Sequence, residues 1–136
     1  MPKVATSLLI NDEGKILILK RSDKVLTYKG LWGAVTGYVE ENETPFETAI
    51  KEIKEEVGIN KEDVSLIKSL DSVKFTDIYN GEEYNWNIFP FIFKIKKNSK
   101  INIDWEHLEY EWILPSEIEK YDTVPLLKEI VSKLLK

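Results

Sequence analysis

The sequence contains no cysteine, one histidine and one methionine in 136 residues. The first absence removes cysteine nucleophiles, iron–sulfur clusters and thiolate-held zinc together. The lone imidazole, His107, excludes any two-histidine metal site. Proline and glycine are sparse, at five and six residues, and no stretch has the Gly/Pro/Ser bias of a linker or low-complexity tract. There is no internal repeat and no apolar run near the roughly 18 residues of a membrane span. Residues 1–10 are too short and too soon polar for a secretory leader. Basic charge is also short, 19 residues against 24 acidic ones for a net charge of -5. That argues against broad binding to duplex nucleic acid, which depends on neutralising phosphates. A small phosphorylated ligand stays open, because a bound cation reverses the sign of a local site. The expectation is one cytoplasmic domain spanning residues 1–136, large enough to bury a core without a disulfide or zinc. Its chemistry must come from carboxylates, hydroxyls, lysines and bound cations.

Hydrophobic periodicity predicts strands over residues 4–10 and 15–21, joined by the turn Asn11-Asp12-Glu13-Gly14. Residues 22–33 read as a loop in which Tyr28, Leu31 and Trp32 pack locally, and residues 34–39 as a short strand. A helix then carries its own start and stop signals. Thr44 is a good N-cap, Pro45 suits the first helical position, Glu47 completes a capping box, and Gly58 is placed to end it. Residues 64–78 read as one bent strand or two. Asn80-Gly81 is a hairpin signal leading into a long strand over 83–96, where Pro90 implies an edge position or a bulge. A short strand over 110–114 follows, with Tyr110 and Trp112 read as core. A last amphipathic helix is opened by Thr123 and Pro125. The β-β-β-α-β-β-β-α order predicts an α+β fold, an α/β/α sandwich with a mixed sheet between helices.

The informative segment is Lys51-Glu52-Ile53-Lys54-Glu55-Glu56-Val57-Gly58-Ile59. At about 100° per residue, Glu52, Glu55 and Glu56 share one face, roughly opposite the apolar residues Phe46, Ala49, Ile50, Ile53 and Val57. Like charges at i,i+3 and i,i+4 cost a few tenths of a kcal/mol per pair. A hard divalent cation such as Mg²⁺, which takes oxygen ligands and leaves room for water and phosphate, would offset that cost. Taken alone, such a helix is more simply a solvated face, with Lys51 and Lys54 compensating the charge.

The flanking residues change that balance. Gly37, Glu43, Lys51-Glu52-Ile53, Glu55-Glu56, Gly58 and Ile59 match the Nudix box, G-x5-E-x7-R-E-U-x-E-E-x-G-U, where U is a bulky aliphatic. Six Gly and Glu positions in register by chance is on the order of 10⁻⁴ or less at ordinary residue frequencies. The chain therefore resembles a Nudix hydrolase, and the order of its elements fits that family over the whole length. One position departs: Lys51 stands where the family has Arg, which keeps the charge but loses the bidentate fork. In the family that Arg orients catalytic carboxylates, so Glu43 is its expected partner and a lower rate the expected symptom.

The resemblance implies cleavage of a nucleoside diphosphate linked to another group, by water attack on phosphorus with Mg²⁺, or Mn²⁺ as substitute. Carried over by position, Glu52, Glu55 and Glu56 are metal-site carboxylates, with a backbone carbonyl near Thr36 or Gly37 as a further ligand. Glu106-His107-Leu108-Glu109-Tyr110-Glu111-Trp112 resembles the E-H-x-x-Y-x-W segment of two subgroups, the dihydroneopterin triphosphate (dATP-type) pyrophosphohydrolases and the diadenosine tetraphosphate hydrolases. Glu106 is accordingly the expected extra metal-site acid, and His107 reads as a local hydrogen-bonding or packing residue. The general base stays open among Glu52, Glu55 and Glu106.

Ala34-Val35-Thr36-Gly37-Tyr38-Val39-Glu40 resembles the first of those subgroups more than the second, which points to a nucleoside or pterin triphosphate. Lys20 and Arg21 are candidates for the phosphates, and Trp32 or Trp86 for a planar ring, with Tyr84 and Phe89 also available. The alternatives are a diadenosine polyphosphate or ADP-ribose hydrolase and a non-catalytic nucleotide-binding module. The absence of cysteine disfavours the isomerase branch of the family. A homodimer is left open.

Overall fold

The computed structural model describes residues 2–136. Its strands are β1 (Lys3–Ile10), β2 (Ile16–Arg21), β3 (Trp32–Gly33), β4 (Val35–Tyr38), β5 (Val64–Ser69), β6 (Val73–Tyr79), β7 (Glu82–Ile95) and β8 (His107–Ile113). Two α-helices, α1 (Pro45–Val57) and α2 (Leu127–Leu134), complete the regular structure with two short 3-10 turns. All eight strands join one sheet. β1 runs parallel to β7 from Lys3↔Asn87 to Ile10↔Lys94. Its other side is shared by antiparallel β4 and by the end of the β2 hairpin. β2 also pairs antiparallel with β3 and β8, while β5 and β6 both pair antiparallel with β7. The sheet is therefore mixed, as expected.

Strand alternation sorts the apolar side chains onto two faces. Val4 and Leu8 of β1, with Ile16 and Ile18 of β2, pack with Leu127, Ile130, Val131 and Leu134 of α2. Ala5, Leu9, Leu17 and Leu19 point the other way, against Ala49, Ile53 and Val57 of α1. A helix thus covers each face, giving the α+β sandwich that the element order predicts.

The boundaries of α1 follow its capping chemistry. Thr44 Oγ1 accepts from the Glu47 N–H at 3.1 Å, and Glu47 Oε1 accepts from the Thr44 N–H at 2.9 Å. Gly58 closes the helix with φ 75, a left-handed conformation that favours glycine.

Several expectations are corrected. Pro90 lies inside the central strand β7, not on an edge. Its carbonyl accepts from the Leu70 N–H at 3.1 Å, so its missing N–H faces the same side, where β5 ends at Ser69 and β6 begins at Val73. The proline needs no donor because no residue of β5 or β6 stands opposite it on that side. α2 starts at Leu127, not at Thr123. Trp32 donates its N–H to Asp122 O and Val124 donates to Trp32 O, both at 2.9 Å, which holds that segment to β3 instead. The last strand begins at His107, three residues earlier than expected, and leaves Tyr110 41% exposed rather than in the core. Trp112 is half-buried on the α1 face. Among the described residues no helix is long and apolar enough to cross a membrane.

Candidate active site

The site forms where α1 crosses β4 and where the loop before β8 closes over them. Gly37 sets the helix-to-strand distance. A Cβ at this position would lie 2.5 Å from Glu52 Cδ and 2.8 Å from its Oε1, so a glycine is needed for the Glu52 side chain to lie against the strand. One turn further on, Glu56 is buried rather than facing solvent as the helical wheel predicts. Its Oε1 accepts from the Thr36 N–H at 3.5 Å and lies 2.9 Å from His107 Nε2. Helix α1 is flanked at this point by β4 and the start of β8, so a position beyond the apolar stripe is still covered.

Electrostatics follow from the crowding. Burial, with Glu55 and Glu106 nearby, pushes the Glu52 carboxyl up to about 7. Burial and neighbouring Asp104 raise Glu106 to about 7 as well, against the pull of Arg21. Glu56 is raised well above the ordinary carboxyl range, by burial first and then by Glu106 and Glu52. Burial lowers His107 to about 4, so at neutral pH its contact with Glu56 is a hydrogen bond and not an ion pair.

The donor set fits a hard divalent cation. It is all oxygen, its carboxylates repel one another, and Glu56 Oε2 is buried without a partner. Among the described residues no group of three acids or imidazoles is already drawn tightly enough to hold an ion, so a bound cation would have to pull the carboxylates together. Thr36 adds a backbone group. Its N–H points away from β1 toward Glu56, and in a strand the carbonyl of the same residue takes the same side. Val39, three residues on, turns its N–H back to Lys3 O of β1 at 2.9 Å. Odd positions of this segment therefore face β1, and Thr36 rather than Gly37 presents its carbonyl to the site.

Beside these carboxylates a cleft of about 270 Å³ runs between the sheet and α2. Its polar lining includes Arg21, Thr36, Glu52 and Glu106, and its apolar lining includes Val4, Tyr28, Phe75, Trp86, Ile88 and Leu127. Trp86 is nearly parallel to Phe75 and Tyr84, with centroids 6.0 and 5.4 Å away. Charged and aromatic groups thus line one cleft.

A model of the NUDIX domain matches residues 1–134. The chain belongs to the Nudix domain family. A nucleoside triphosphatase NudI of Salmonella paratyphi B is 28% identical over 117 residues, covering 84% of this chain and 83% of that protein. Two likenesses of fold stand beside it. The Escherichia coli dihydroneopterin triphosphate pyrophosphohydrolase is similar with TM-score 0.80 and 24% identity, over 96% of this chain and 92% of the other. An Ap4A hydrolase of Caenorhabditis elegans also gives TM-score 0.80, at 19% identity, over 99% and 96% of the two chains.

Of the residues named from the Nudix box, Glu52 and Gly37 line the cleft, Glu56 lies buried behind them, and Glu55 is on the exposed side of the helix. Glu106, from outside the box, joins Glu52 in the cleft lining. Lys51 donates to Glu43 Oε2 at 2.7 Å, and Glu43 Oε1 accepts from Thr48 Oγ1 at 2.8 Å and from the Glu40 N–H at 3.2 Å. This pair lines no part of the cleft and pins the loop before α1 to the helix. Arg21 and Trp86 line the cleft, whereas Lys20 and Trp32 do not. Trp32 packs edge-on against Tyr121 at 5.4 Å. Phe89 lies on the opposite face of the sheet, with the α1 core. Sequence reasoning missed Tyr28, Tyr38 and Phe75 as cleft residues. Their contributions depend on which loop and strand the fold brings together, and no local spacing marks them.

Proposed function

We propose that the protein is a divalent-metal-dependent pyrophosphohydrolase that cleaves a nucleoside triphosphate, or a pterin analogue, to monophosphate and pyrophosphate. The observation that carries this reading is the placement of Glu52 and Glu106, both raised to about 7, in the lining of one cleft with Tyr28, Phe75 and Trp86. The box from Gly37 to Ile59 and the similarity to a nucleoside triphosphatase support it. Glu52, Glu55, Glu56 and Glu106, with the Thr36 carbonyl, are the groups that would hold the ion. Mg²⁺, with Mn²⁺ as substitute, would supply neutralisation of the phosphate oxygens and of the leaving pyrophosphate.

The chain's own groups do the rest. Arg21, held by Thr27, lines the cleft and would meet the phosphate oxygens there. The attacking water gives its oxygen to phosphorus as the phosphoanhydride P–O bond breaks, and one of its protons goes to a carboxylate of the cleft. The acceptor is whichever of the cleft acids Glu52 and Glu106 the ion leaves free, because a metal-bound carboxylate is a poorer base. His107 and the Thr36 N–H hold one oxygen of Glu56, leaving Oε2 turned away from both.

The test is incubation with Mg²⁺ and dATP, other nucleoside triphosphates, dihydroneopterin triphosphate, diadenosine tetraphosphate and ADP-ribose, with Glu56→Gln alongside. Monophosphate and pyrophosphate from a triphosphate, lost in the variant, is the expected result. Turnover of only the dinucleotide or the sugar nucleotide would keep the chemistry and overturn the substrate. No turnover by folded, metal-binding protein would favour a binding module.

A further inference from the structure

The loop between β2 and β3 is held in an unusual way. Tyr28 has φ 53, a left-handed conformation rare for a bulky side chain and costly for any residue with a Cβ. Such strain persists only where surrounding contacts fix it, and it clusters at ligand sites. Here the contacts are specific. The Tyr28 hydroxyl donates to Asp77 Oδ2 of β6 at 2.5 Å. Its ring lies 4.9 Å from that of Tyr79 and 6.0 Å from that of Trp86, and it faces the cleft. The residue before it does a second job, because Arg21 donates from Nε to Thr27 O at 2.9 Å and from Nη2 to Thr27 Oγ1 at 3.4 Å. Two adjacent residues of one loop therefore fix a guanidinium and an aromatic ring in the lining of the same cleft.

We propose that Tyr28 is a specificity-determining residue whose ring packs on the planar heteroaromatic group of the substrate, and that Asp77 is the positioning residue that latches it there. This rests on the pyrophosphohydrolase reading above for the phosphate end of the substrate. The latch explains why a strained loop crosses to β6 at all. The ligand class that fits is a planar ring joined to a phosphate chain, stacked rather than read along its edge. The Tyr28 hydroxyl is already committed to Asp77, and the Trp86 indole N–H to the Tyr38 hydroxyl at 3.3 Å.

The experiment is calorimetric binding of the two products, a nucleoside monophosphate (dAMP) and inorganic pyrophosphate, to the Mg²⁺-loaded protein. Wild type is compared with Tyr28→Leu, Tyr28→Phe, Asp77→Ala and the Phe/Ala double variant, each checked for a cooperative melt. Loss of the ring in Tyr28→Leu should weaken dAMP roughly tenfold, the scale of one aromatic–base stack, with pyrophosphate within about twofold of wild type. Tyr28→Phe keeps the ring and tests the latch with little risk to folding. It and Asp77→Ala should each weaken dAMP by a similar smaller factor, and the double variant by no more than either, because both remove the same bond. Unchanged dAMP binding in folded Tyr28→Leu, or an equal loss for pyrophosphate, would overturn the role of the ring. Additive losses in the double variant would overturn the latch. Failure of wild type to hydrolyse any triphosphate would sink the reaction proposed above, whereas failure of wild type to bind a monophosphate would sink this proposal.

Discussion

At the scale of single residues, the site depends on one missing Cβ and one buried hydrogen bond. Gly37→Ala would drive a methyl group into Glu52 Cδ, 2.5 Å from where the Cβ must stand. Displacing a reacting carboxylate by about an ångström costs on the order of 10² in rate. Gly37→Ala should therefore lower kcat about that much while the far-ultraviolet circular dichroism is unchanged. The second feature is His107, whose Nε2 meets Glu56 Oε1 and which would act as an outer partner if Glu56 holds the proposed ion. His107→Phe keeps an aromatic ring at a buried position and removes the 2.9 Å contact. Loss of such an outer partner typically costs 10- to 100-fold in metal affinity, so a Mn²⁺ titration should show a shift of roughly that order. An unchanged affinity would mean that Thr36 alone orients Glu56. Helical spacing makes Glu52, Glu55 and Glu56 legible as a group, and Glu106 joins them only through the resemblance of its segment to two Nudix subgroups. It does not show that Glu56 is buried, because a helical wheel assumes one covered face and α1 is covered on its flank too. Tyr28 is less legible still, since its partner Asp77 stands 49 residues away.

Among the elements, α1 is the one whose limits and role can be read locally. Its capping box, first-turn proline and terminal glycine all act over a few residues, and the fold obeys them. Thr44→Ala removes the cap and should cost about 1 kcal/mol, a fall in melting temperature of a few degrees, with activity at low temperature little changed. The Lys51–Glu43 pair acts differently. It binds the loop before α1 to the helix through one N–H···O bond, where an arginine would offer a fork. Lys51→Met should lower kcat more than it lowers stability, and Lys51→Arg should match or exceed wild type in the same steady-state assay. A lower rate for the arginine variant would show that this loop is fitted to lysine. β7 and α2 were harder to place from sequence for a common reason. Pro90 sits mid-sheet because the neighbouring chain breaks there, and Thr123 is drawn away from α2 by β3. Both depend on partners remote in sequence, which periodicity does not contain.

For the molecule as a whole, packing several acids at one cleft has a cost that pH exposes. A carboxyl whose folded pKa exceeds its unfolded value keeps a proton that the unfolded chain has lost. Stability then falls as pH rises through the window from 4.5 to about 7 set by Glu52 and Glu106. Glu56 shifts in the same direction. His107, lowered from 6.5 to about 4, works the other way over its own window, but three carboxyls oppose one imidazole. The metal-free protein should thus melt at a lower temperature near pH 8 than near pH 5, and Mg²⁺ or Mn²⁺ should raise the melting temperature more at the higher pH. A flat or rising metal-free profile would mean that these acids are not crowded in solution.

The most direct test of the central claim is hydrolysis of dATP with Mg²⁺ in ¹⁸O-enriched water, with products resolved by mass. The account predicts dAMP and pyrophosphate, with one ¹⁸O entering a single product and no turnover after chelation or in Glu56→Gln. Stepwise release of orthophosphate, or turnover that survives chelation, would contradict it.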